Sequence, residues 1–294
     1  MKILITGATG YVGSNLFKEI QYDNFEISLL VRPDSIIPSI EEVTIISLSD
    51  PDWKEQVRNS DFQVVLHLAS YLTSSDESDA ISSLLDANIF FGTHLLDALK
   101  GSALKTFINT GTFAEYENSR LRPAYLYAAT KTAFRSILHY YSNRYNFNVI
   151  NIIPFTVYGG IDTKKKLIDL IFESTTSIEP IKMSPGDQML DFVHISDVVS
   201  FYRHLLRNLD KLKNRQYHEV DLGTGKGYTP RQIASIMEKY TSQTNITWGG
   251  VPYRPTDTMS AVARNLDLMS ILEWTPKIDI EEGIKLYLST IKQN

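Results

Sequence analysis

Short apolar runs rich in β-branched residues alternate along the chain with longer segments of helical period. Six of these runs predict strands, at Ile3–Ile5, Ile27–Val31, Val43–Ile46, Val64–Leu68, Phe107–Asn109 and Val149–Ile153. The runs are continuous rather than alternating, which is typical of strands buried on both faces. The longest helical segments are Ser78–Lys100 and Tyr127–Tyr145. This order of elements predicts an α/β fold with a doubly wound parallel sheet.

The pattern changes after Ile153, where Pro154 and the turn at Tyr158–Gly160 mark a boundary. Further along, the run Tyr217–Leu222 ends in a glycine turn and is typical of another strand of the same sheet. We therefore predict a larger sheet domain made of residues 1–157 and 195–225. Residues 158–194 and 226–294 are predicted to form a smaller, mostly C-terminal domain.

Composition and charge exclude several classes of function. The 294 residues carry 29 Lys and Arg against 34 Asp and Glu, so the net charge of −5 offers no broad basic surface for nucleic acid. The absence of cysteine excludes disulfides and thiolate chemistry. His67 and His194 lie in apolar runs without paired ligands, so no metal site is predicted. The apolar stretch before Gly7 is too short for a signal peptide or a membrane span, so we expect a cytoplasmic protein without a membrane partner.

A glycine-rich turn follows the first predicted strand directly and opens a helix. Bare backbone lets a pyrophosphate approach closely, and a helix N-terminus offers unpaired N–H groups with partial positive charge. An ordinary tight turn between a strand and a helix is the alternative. We predict a Rossmann-type dinucleotide site in the larger domain, formed by Gly7, Thr9, Gly10, Tyr11, Val12 and Gly13. The smaller domain is then expected to bind the substrate.

The end of the second predicted strand bears on the choice of cofactor. Arg32 stands 32 − 13 = 19 residues after Gly13, where an NAD-specific site places Asp or Glu against the ribose hydroxyls. An arginine there suits the 2′-phosphate of NADP, so NADP(H) is favoured and NAD(H) is possible. Asp34 could instead turn inward, or Arg32 could simply be exposed at the strand end.

A tyrosine and a lysine four residues apart begin the second long helix, so Tyr127 and Lys131 share one face. A nearby positive charge lowers the pKa of a phenol, about 10 when free, toward a value useful for proton transfer. Such pairs are also common on helix surfaces. Thr112 follows a strand at the sheet edge that binds ligands, where its hydroxyl can hold a carbonyl oxygen; the alternative is a helix cap. Thr112, Tyr127 and Lys131 are therefore the predicted catalytic residues of a ketone reduction.

With these residues and several further motifs, the sequence resembles the extended short-chain dehydrogenase/reductase family, the NAD-dependent epimerase/dehydratases. The resemblance covers nearly the whole chain. Its motifs are Thr6–Gly13, His67–Ser70, Asn88–Thr93, Pro123, the Tyr127/Lys131 pair, Pro154–Gly159, Asp191–Val198, Arg254–Asp257 and Trp274–Pro276. Within the family, the 4-ketoreductases of the CDP-abequose and CDP-paratose synthase type are most similar at Phe107–Phe113, Arg122–Pro123, Thr130–Lys131 and Tyr217–Gly227.

The resemblance implies an enzyme that acts on a nucleotide sugar. It implies Tyr127 as the acid/base, Lys131 at the nicotinamide ribose and Thr112 as the hydroxyl partner. Beyond the glycine turn, Arg32, Tyr127 and Lys131, it places cofactor contacts at Leu48, Leu68, Ala69, Ser70, Asn88 and Pro154. It places substrate contacts at Thr112, Phe113, Tyr127, Thr156 and Arg254. A homodimer that pairs the two long helices is also implied.

Departures from the family pattern disfavour or exclude some of the reactions that family members catalyse. A 4,6-dehydratase carries Asp-Glu after its threonine, and this chain has Phe113 and Ala114 there, which disfavours dehydration although Glu115 follows one residue late. Members that epimerise C3 and C5 use a cysteine, and this chain has none. Leu190 stands where the family places an arginine at the substrate diphosphate. Either Arg254 and nearby lysines suffice, or the substrate is not a nucleotide sugar.

The sequence therefore predicts an NADPH-dependent reduction of the 4-keto group of a nucleotide-linked 4-keto-6-deoxyhexose, with CDP as the favoured nucleotide. A nucleotide-sugar 4-epimerase with tightly bound NAD is an alternative that uses the same residues, and Arg32 disfavours it. A non-catalytic regulator that senses NADP is a second alternative. The joint presence of Thr112, Tyr127 and Lys131 disfavours the regulator.

Overall fold

The computed structural model describes residues 1–37, 43–74, 77–117, 120–160, 162, 164–212, 217–255, 257–264 and 266–292, without the side chain of Leu268. The strands are β1 Lys2–Thr6, β2 Glu26–Val31, β3 Thr44–Ser47, β4 Val64–His67, β5 Thr106–Thr110, β6 Tyr116–Glu117, β7 Arg120–Leu121, β8 Asn148–Pro154, β9 Thr156–Tyr158, β10 Ile181–Met183, β11 Met189–His194, β12 Tyr217–Leu222, β13 Gly227–Tyr228, β14 Ile246–Trp248 and β15 Ser260–Ala261. The α-helices are α1 Tyr11–Ile20, α2 Trp53–Asn59, α3 Ser78–Leu85, α4 Phe91–Ala98, α5 Leu126–Tyr145, α6 Leu167–Ser174, α7 Ile195–Arg207, α8 Pro230–Glu238, α9 Asp267–Leu272 and α10 Ile280–Lys292.

The central sheet has seven parallel strands in the order β12-β8-β5-β4-β1-β2-β3. Within the sheet, β1 pairs with β2 and β4, so that Ile5 lies between Leu29 and Leu66. The six predicted strands are all present, and Tyr217–Leu222 returns to the sheet beside β8 as predicted. The predicted doubly wound parallel α/β fold is confirmed.

Alternate residues of each strand face opposite sides of the sheet, and each side is covered by helices. Ile3 and Ile5 pack on one side with residues of α1 and α7. Leu4 packs on the other side with residues of α4 and α5, such as Leu95 and Phe134. The sheet is therefore buried on both faces, which explains why its strands read as continuous apolar runs.

The segment predicted as one helix over Ser78–Lys100 is helical from Ser78 to Ala98, and its hydrogen-bond pattern changes in the middle. A π-helical segment, Asp86–Phe90, separates α3 from α4. A π-bulge adds one residue to a turn and changes the direction in which the side chains on either side of it point. Asn88 lies in this segment and is buried, with polar partners on two other elements described below. The second long helix, α5, is continuous as predicted.

A second region is built around β11, which pairs with β9, β13 and β15, while β10 pairs with β14. Its apolar core contains residues of α6, α8 and α10. The segment at α9 is different, because Met269, Leu272 and Trp274 pack into the core of the seven-stranded sheet. Within the described residues, no helix is both long and apolar enough to cross a bilayer.

Candidate active site

The glycine turn between β1 and α1 has the shape that a dinucleotide site needs. Gly7 has a left-handed backbone (φ 72°), and a Cβ there would lie 2.5 Å from the backbone nitrogen of Ala69. A Cβ at Gly13 would collide with the carbonyl oxygen of Gly7. Gly10 is the N-cap of α1 and provides no side-chain hydrogen bond to the first N–H groups of the helix. The turn therefore fits a pyrophosphate, which those N–H groups can bind.

The side chains of the turn are used differently from its backbone. Tyr11 donates a hydrogen bond from its hydroxyl to the carbonyl of Gly159, and the Nζ of Lys166 lies 3.3 Å from its ring centroid. Val12 packs against the sheet core, and Thr9 is exposed. The side chains of Tyr11 and Val12 are engaged in contacts within the protein, so the main chain of the turn is the part that can bind a phosphate group.

Arg32 and Leu48 lie at the ends of neighbouring strands. Arg32 directly follows β2, and the nitrogen of Leu48 after β3 donates to the carbonyl of Val31 at 2.8 Å. Arg32 is exposed and lies 3.7 Å from Asp34. Arg32 is thus at the edge of the sheet that bears the glycine turn, and its contact with a 2′-phosphate stays a prediction.

The loop after β4, which contains Leu68, Ala69 and Ser70, is connected to α5 through Asn88. The amide oxygen of Asn88 accepts hydrogen bonds from the Ser70 hydroxyl (3.1 Å) and the Tyr71 nitrogen (2.8 Å). Its amide nitrogen donates to the Tyr71 carbonyl and the Thr130 hydroxyl, both at 3.0 Å. The hydrogen-bonding capacity of this amide is filled within the protein. The structure therefore gives Asn88 the role of positioning this loop, and direct contact with the cofactor stays a prediction.

The three residues predicted to be catalytic are brought to one end of β5. Thr112 follows the strand and caps a single 3₁₀ turn, Phe113–Glu115, by accepting a hydrogen bond from the nitrogen of Ala114 (3.3 Å). Lys131 on α5 donates to the carbonyl of Thr110 (2.9 Å), and its Nζ lies 5.9 Å from the ring centroid of Tyr127. All three side chains are buried. The cap uses the oxygen of Thr112, and its hydroxyl hydrogen can still be donated.

Burial dominates the protonation of this site. It raises the pKa of Tyr127 above that of a free phenol, while a hydrogen bond with Ser70 acts in the opposite direction. Burial also lowers the pKa of Lys131 to about 8, against the effect of the Glu115 carboxylate. The expected lowering of the Tyr127 pKa by Lys131 is therefore wrong, because Lys131 is not among the groups that shift this pKa and the loss of water around the phenol raises it. Tyr127 is a neutral phenol, able to donate a proton, at neutral pH.

A cavity of about 190 Å³ adjoins the Thr112 loop. The stacked rings of Phe113 and Phe155, whose centroids are 5.7 Å apart, form part of its wall. Thr156 directly follows Phe155 and begins β9. The remaining lining residues are Tyr116, Ile153, Glu219, Asp221, Ser260, Ala261, Val262 and Arg264. Phe113, a predicted substrate contact, therefore lines a cavity. Pro154 lies next to this cavity, at the end of β8.

Arg254 reaches the same region from the C-terminal part of the chain. Its charge lowers the pKa of Tyr125, although burial raises that pKa more strongly. Tyr125 in turn stacks on Tyr127, with ring centroids 6.0 Å apart. Leu190, which replaces the family arginine, is half-buried and pairs with Ala261 across two strands. Arg254 and Arg264 therefore supply positive charge near the site, whereas the side chain of Leu190 carries none.

Two residues of the site were not predicted from the sequence. Tyr125 was not singled out, and Glu115 was considered only as a displaced dehydratase residue, not as a partner of Thr112. Tyr125 carries no motif of its own. Glu115 has a recognisable signal, because Thr112 and Glu115 have the Thr-x-x-Glu spacing of a capping box. The structure shows that box, in which the Glu115 carboxylate accepts a hydrogen bond from the nitrogen of Thr112 (3.0 Å).

Comparisons with known proteins agree with the fold. The model of the NAD dependent epimerase/dehydratase family matches residues 3–220. The chain therefore belongs to this family, and is an enzyme of the nicotinamide-dependent oxidoreductase type, as predicted.

Several relatives are named CDP-abequose synthase. The protein from Salmonella muenchen is 29% identical over 291 residues, which cover 98% of this chain and 97% of that protein. The protein from Salmonella typhimurium is 24% identical over 313 residues, with 98% of each chain covered. The UDP-glucuronic acid 4-epimerase from Bacillus cereus, solved with UDP-glucuronic acid and NAD, superposes with a TM-score of 0.86 at 22% identity over 100% of this chain and 99% of that one. At that identity the structure shows a shared fold.

Proposed function

We propose that this enzyme uses NADPH to reduce the C4 ketone of a nucleotide-linked 4-keto-6-deoxyhexose, with CDP as the preferred nucleotide. The observation that carries the proposal is the joint burial of Thr112, Tyr127 and Lys131 at the end of β5. The CDP-linked substrate is supported by two relatives named CDP-abequose synthase, which match nearly the full chain. The relative solved with UDP-glucuronic acid supports a nucleotide sugar more generally.

The side chains of the site provide the proton and the charge that such a reduction needs. The glycine turn would hold the nicotinamide cofactor, which supplies a hydride to the carbonyl carbon when it is bound. Tyr127, a neutral phenol, gives its proton to the carbonyl oxygen, and the hydroxyl of Thr112 donates a hydrogen bond to the same oxygen. The ammonium of Lys131 stabilises the phenolate that remains until water returns the proton. A ketone, a hydride and a proton thus give an alcohol.

The position of Glu115 supports a reductase rather than a dehydratase. A dehydratase needs an additional acid and base that reach the substrate, at the places of Phe113 and Ala114 in this chain. Glu115 is completely buried and accepts hydrogen bonds from the Thr112 nitrogen and from Thr132 on α5. Its carboxylate is therefore occupied within the protein and does not replace the missing pair.

The preference for NADPH rests on Arg32 and is tested by cofactor kinetics. We expect a higher kcat/KM with NADPH than with NADH, because the guanidinium at the end of β2 can pair with the 2′-phosphate. Arg32→Asp should reverse the preference, and the exposed Arg58 on α2 offers a matched control as Arg58→Asp. A wild-type enzyme that prefers NADH would contradict this choice of cofactor.

The reaction itself is tested with CDP-linked 4-keto-6-deoxyglucose and NADPH, followed by the absorbance of NADPH. Tyr127→Phe should abolish turnover and leave NADPH binding unchanged, whereas Tyr140→Phe, at an exposed tyrosine of the same helix, should retain turnover. Retained turnover in Tyr127→Phe would refute the assignment.

The 4-epimerase remains the competing function, because the structural relative from Bacillus cereus carries that name. An epimerase returns its cofactor unchanged, so NADPH would not be consumed in proportion to the sugar. An ultraviolet spectrum of the purified protein with bound NAD, together with absent NADPH consumption, would favour the epimerase. Consumption of one NADPH per ketone would exclude it.

A further inference from the structure

Glu115 is a fully buried carboxylate next to the candidate catalytic residues. Burying a carboxylate is unfavourable unless hydrogen bonds and an opposite charge compensate for the lost water. Glu115 has both kinds of compensation, from partners in the loop after β5 and on α5.

The two oxygens of this carboxylate bind the two elements that carry the reaction. Oε1 accepts a hydrogen bond from the backbone nitrogen of Thr112 (3.0 Å), and Oε2 accepts one from the hydroxyl of Thr132 (3.1 Å). Thr132 lies on α5, one residue after Lys131 and five after Tyr127. One side chain therefore connects the loop that holds the hydroxyl donor to the helix that holds the proton donor.

The backbone beside Glu115 is shaped for this close contact. A Cβ at Gly111 would lie 2.9 Å from Oε1 of Glu115, so a side chain there would displace the carboxylate. Gly111 is itself connected to the sheet, because its nitrogen donates to the carbonyl of Ile152 at 2.7 Å. The carboxylate thus occupies a space that the bare glycine leaves at the end of β5.

Arg135 compensates the buried charge and extends the connection to the edge of the sheet. Its guanidinium lies 3.4 Å from Oε2 of Glu115 and 3.0 Å from Oε2 of Glu219 on β12. Asn151 on β8 also donates to Glu219, at 2.9 Å. Burial raises the pKa of Glu115, and Arg135 opposes that rise most strongly, followed by the hydrogen bonds from Thr112 and Thr132.

We propose that Glu115 is a positioning residue for the reduction, which sets the Thr112 hydroxyl relative to the Tyr127 phenol by binding the Thr112 loop with one oxygen and α5 with the other. The inference rests on the proposed function, since it concerns the geometry of that same reaction. A displacement of about 1 Å in a reacting group can lower a rate by about 100-fold. The shared carboxylate prevents such a displacement between two elements that belong to different parts of the chain.

The most direct variant is Thr132→Val, which removes the hydroxyl on α5 at nearly constant volume and leaves the rest of the Glu115 contacts. We expect a fall in kcat of about 10-fold with the KM for NADPH unchanged, because the helix loses its bond to the carboxylate. Glu115→Val should lower kcat further, and Glu115→Gln, which retains a hydrogen-bonding oxygen, should restore most of it. Glu117→Gln removes an exposed carboxylate two residues away and is the matched control.

A double-variant cycle separates positioning from general stability. If Glu115 acts through Thr112, Thr132→Val should lower kcat in the wild type and have no further effect in a Thr112→Val background. A loss of equal size in both backgrounds, or wild-type kcat in Thr132→Val, would overturn the inference. Should Glu115→Val fail to fold, Thr132→Val and its cycle still decide the matter.

The wild-type enzyme and Tyr127→Phe together distinguish the failure of this inference from a failure of the proposed function. If the wild type consumes NADPH with the CDP-linked ketone, Tyr127→Phe is inactive and Thr132→Val is fully active, only the role of Glu115 is wrong. If the wild type does not consume NADPH with this ketone, the proposed function is wrong and the inference falls with it.

Discussion

The charge of Lys131 should set the upper pH limit of activity. Burial lowers the pKa of this lysine from 10.5 to about 8. At about 1.4 kcal/mol for each tenfold change in the ionisation constant, the folded protein disfavours the ammonium by about 3 kcal/mol relative to water. Lys131 is charged below this pKa and neutral above it. If the reaction needs the ammonium, activity is lost as the pH rises, to about one tenth at pH 9 and about one hundredth at pH 10.

The assay is kcat/KM for NADPH between pH 6 and pH 10 at constant ionic strength, because kcat/KM reports the ionisations of the free enzyme. The pKa of Tyr127 is raised by burial, so the phenol does not lose its proton in this range and the fall belongs to Lys131. Thr112→Val should lower the plateau without moving the fall, and circular dichroism at pH 9 shows whether the fold is intact. A flat profile up to pH 10 would refute the reasoning.

Three further predictions concern stability and assembly. Burial lowers the pKa of His67 from 6.5 to about 3, so the unfolded chain binds the extra proton and this residue should lower the free energy of unfolding by about 2 kcal/mol from pH 8 to pH 5. In urea titrations His67→Phe should remove that part of the pH dependence and leave the part due to His194, whose pKa burial lowers to about 4; an unchanged dependence would contradict it. Arg135→Met, which leaves a buried carboxylate without its counter-ion, should lower the free energy of unfolding by about 3 kcal/mol. The exposed Arg122→Met should change it by less than about 1 kcal/mol in the same titrations, and equal losses would contradict the argument. We also propose a homodimer that forms through the long helices, where Phe90 and Tyr140 are exposed. Phe90→Asp should shift the mass measured by light scattering from that of a dimer to that of a monomer. A monomeric wild-type protein would contradict this proposal.

Local features of the chain determined most of the fold. The continuous apolar runs located six of the seven strands of the central sheet within one or two residues, because burial on both faces requires apolar residues at successive positions. The edge strand β12, which contains polar residues, was located by the glycine turn that follows it. The glycine turn was equally readable, since Gly7 and Gly13 stand where the backbone of the turn admits no Cβ. That Tyr127 and Lys131 lie on one face of α5 followed from the helical period, because they are four residues apart.

Contacts between distant parts of the chain decided the remainder. The π-helical segment at Asn88 depends on partners at Tyr71 and Thr130, which no periodicity within the helix reveals. The direction of the Tyr127 pKa depends on how much water the surrounding elements remove, whereas the sequence showed only the nearby lysine. Glu115 acquires its partners from α5 and the sheet only when these elements pack together. Residue types and spacings along the chain thus determined which groups are available, and tertiary packing decided their solvation and their partners, because both depend on atoms that are close in space and far apart in sequence.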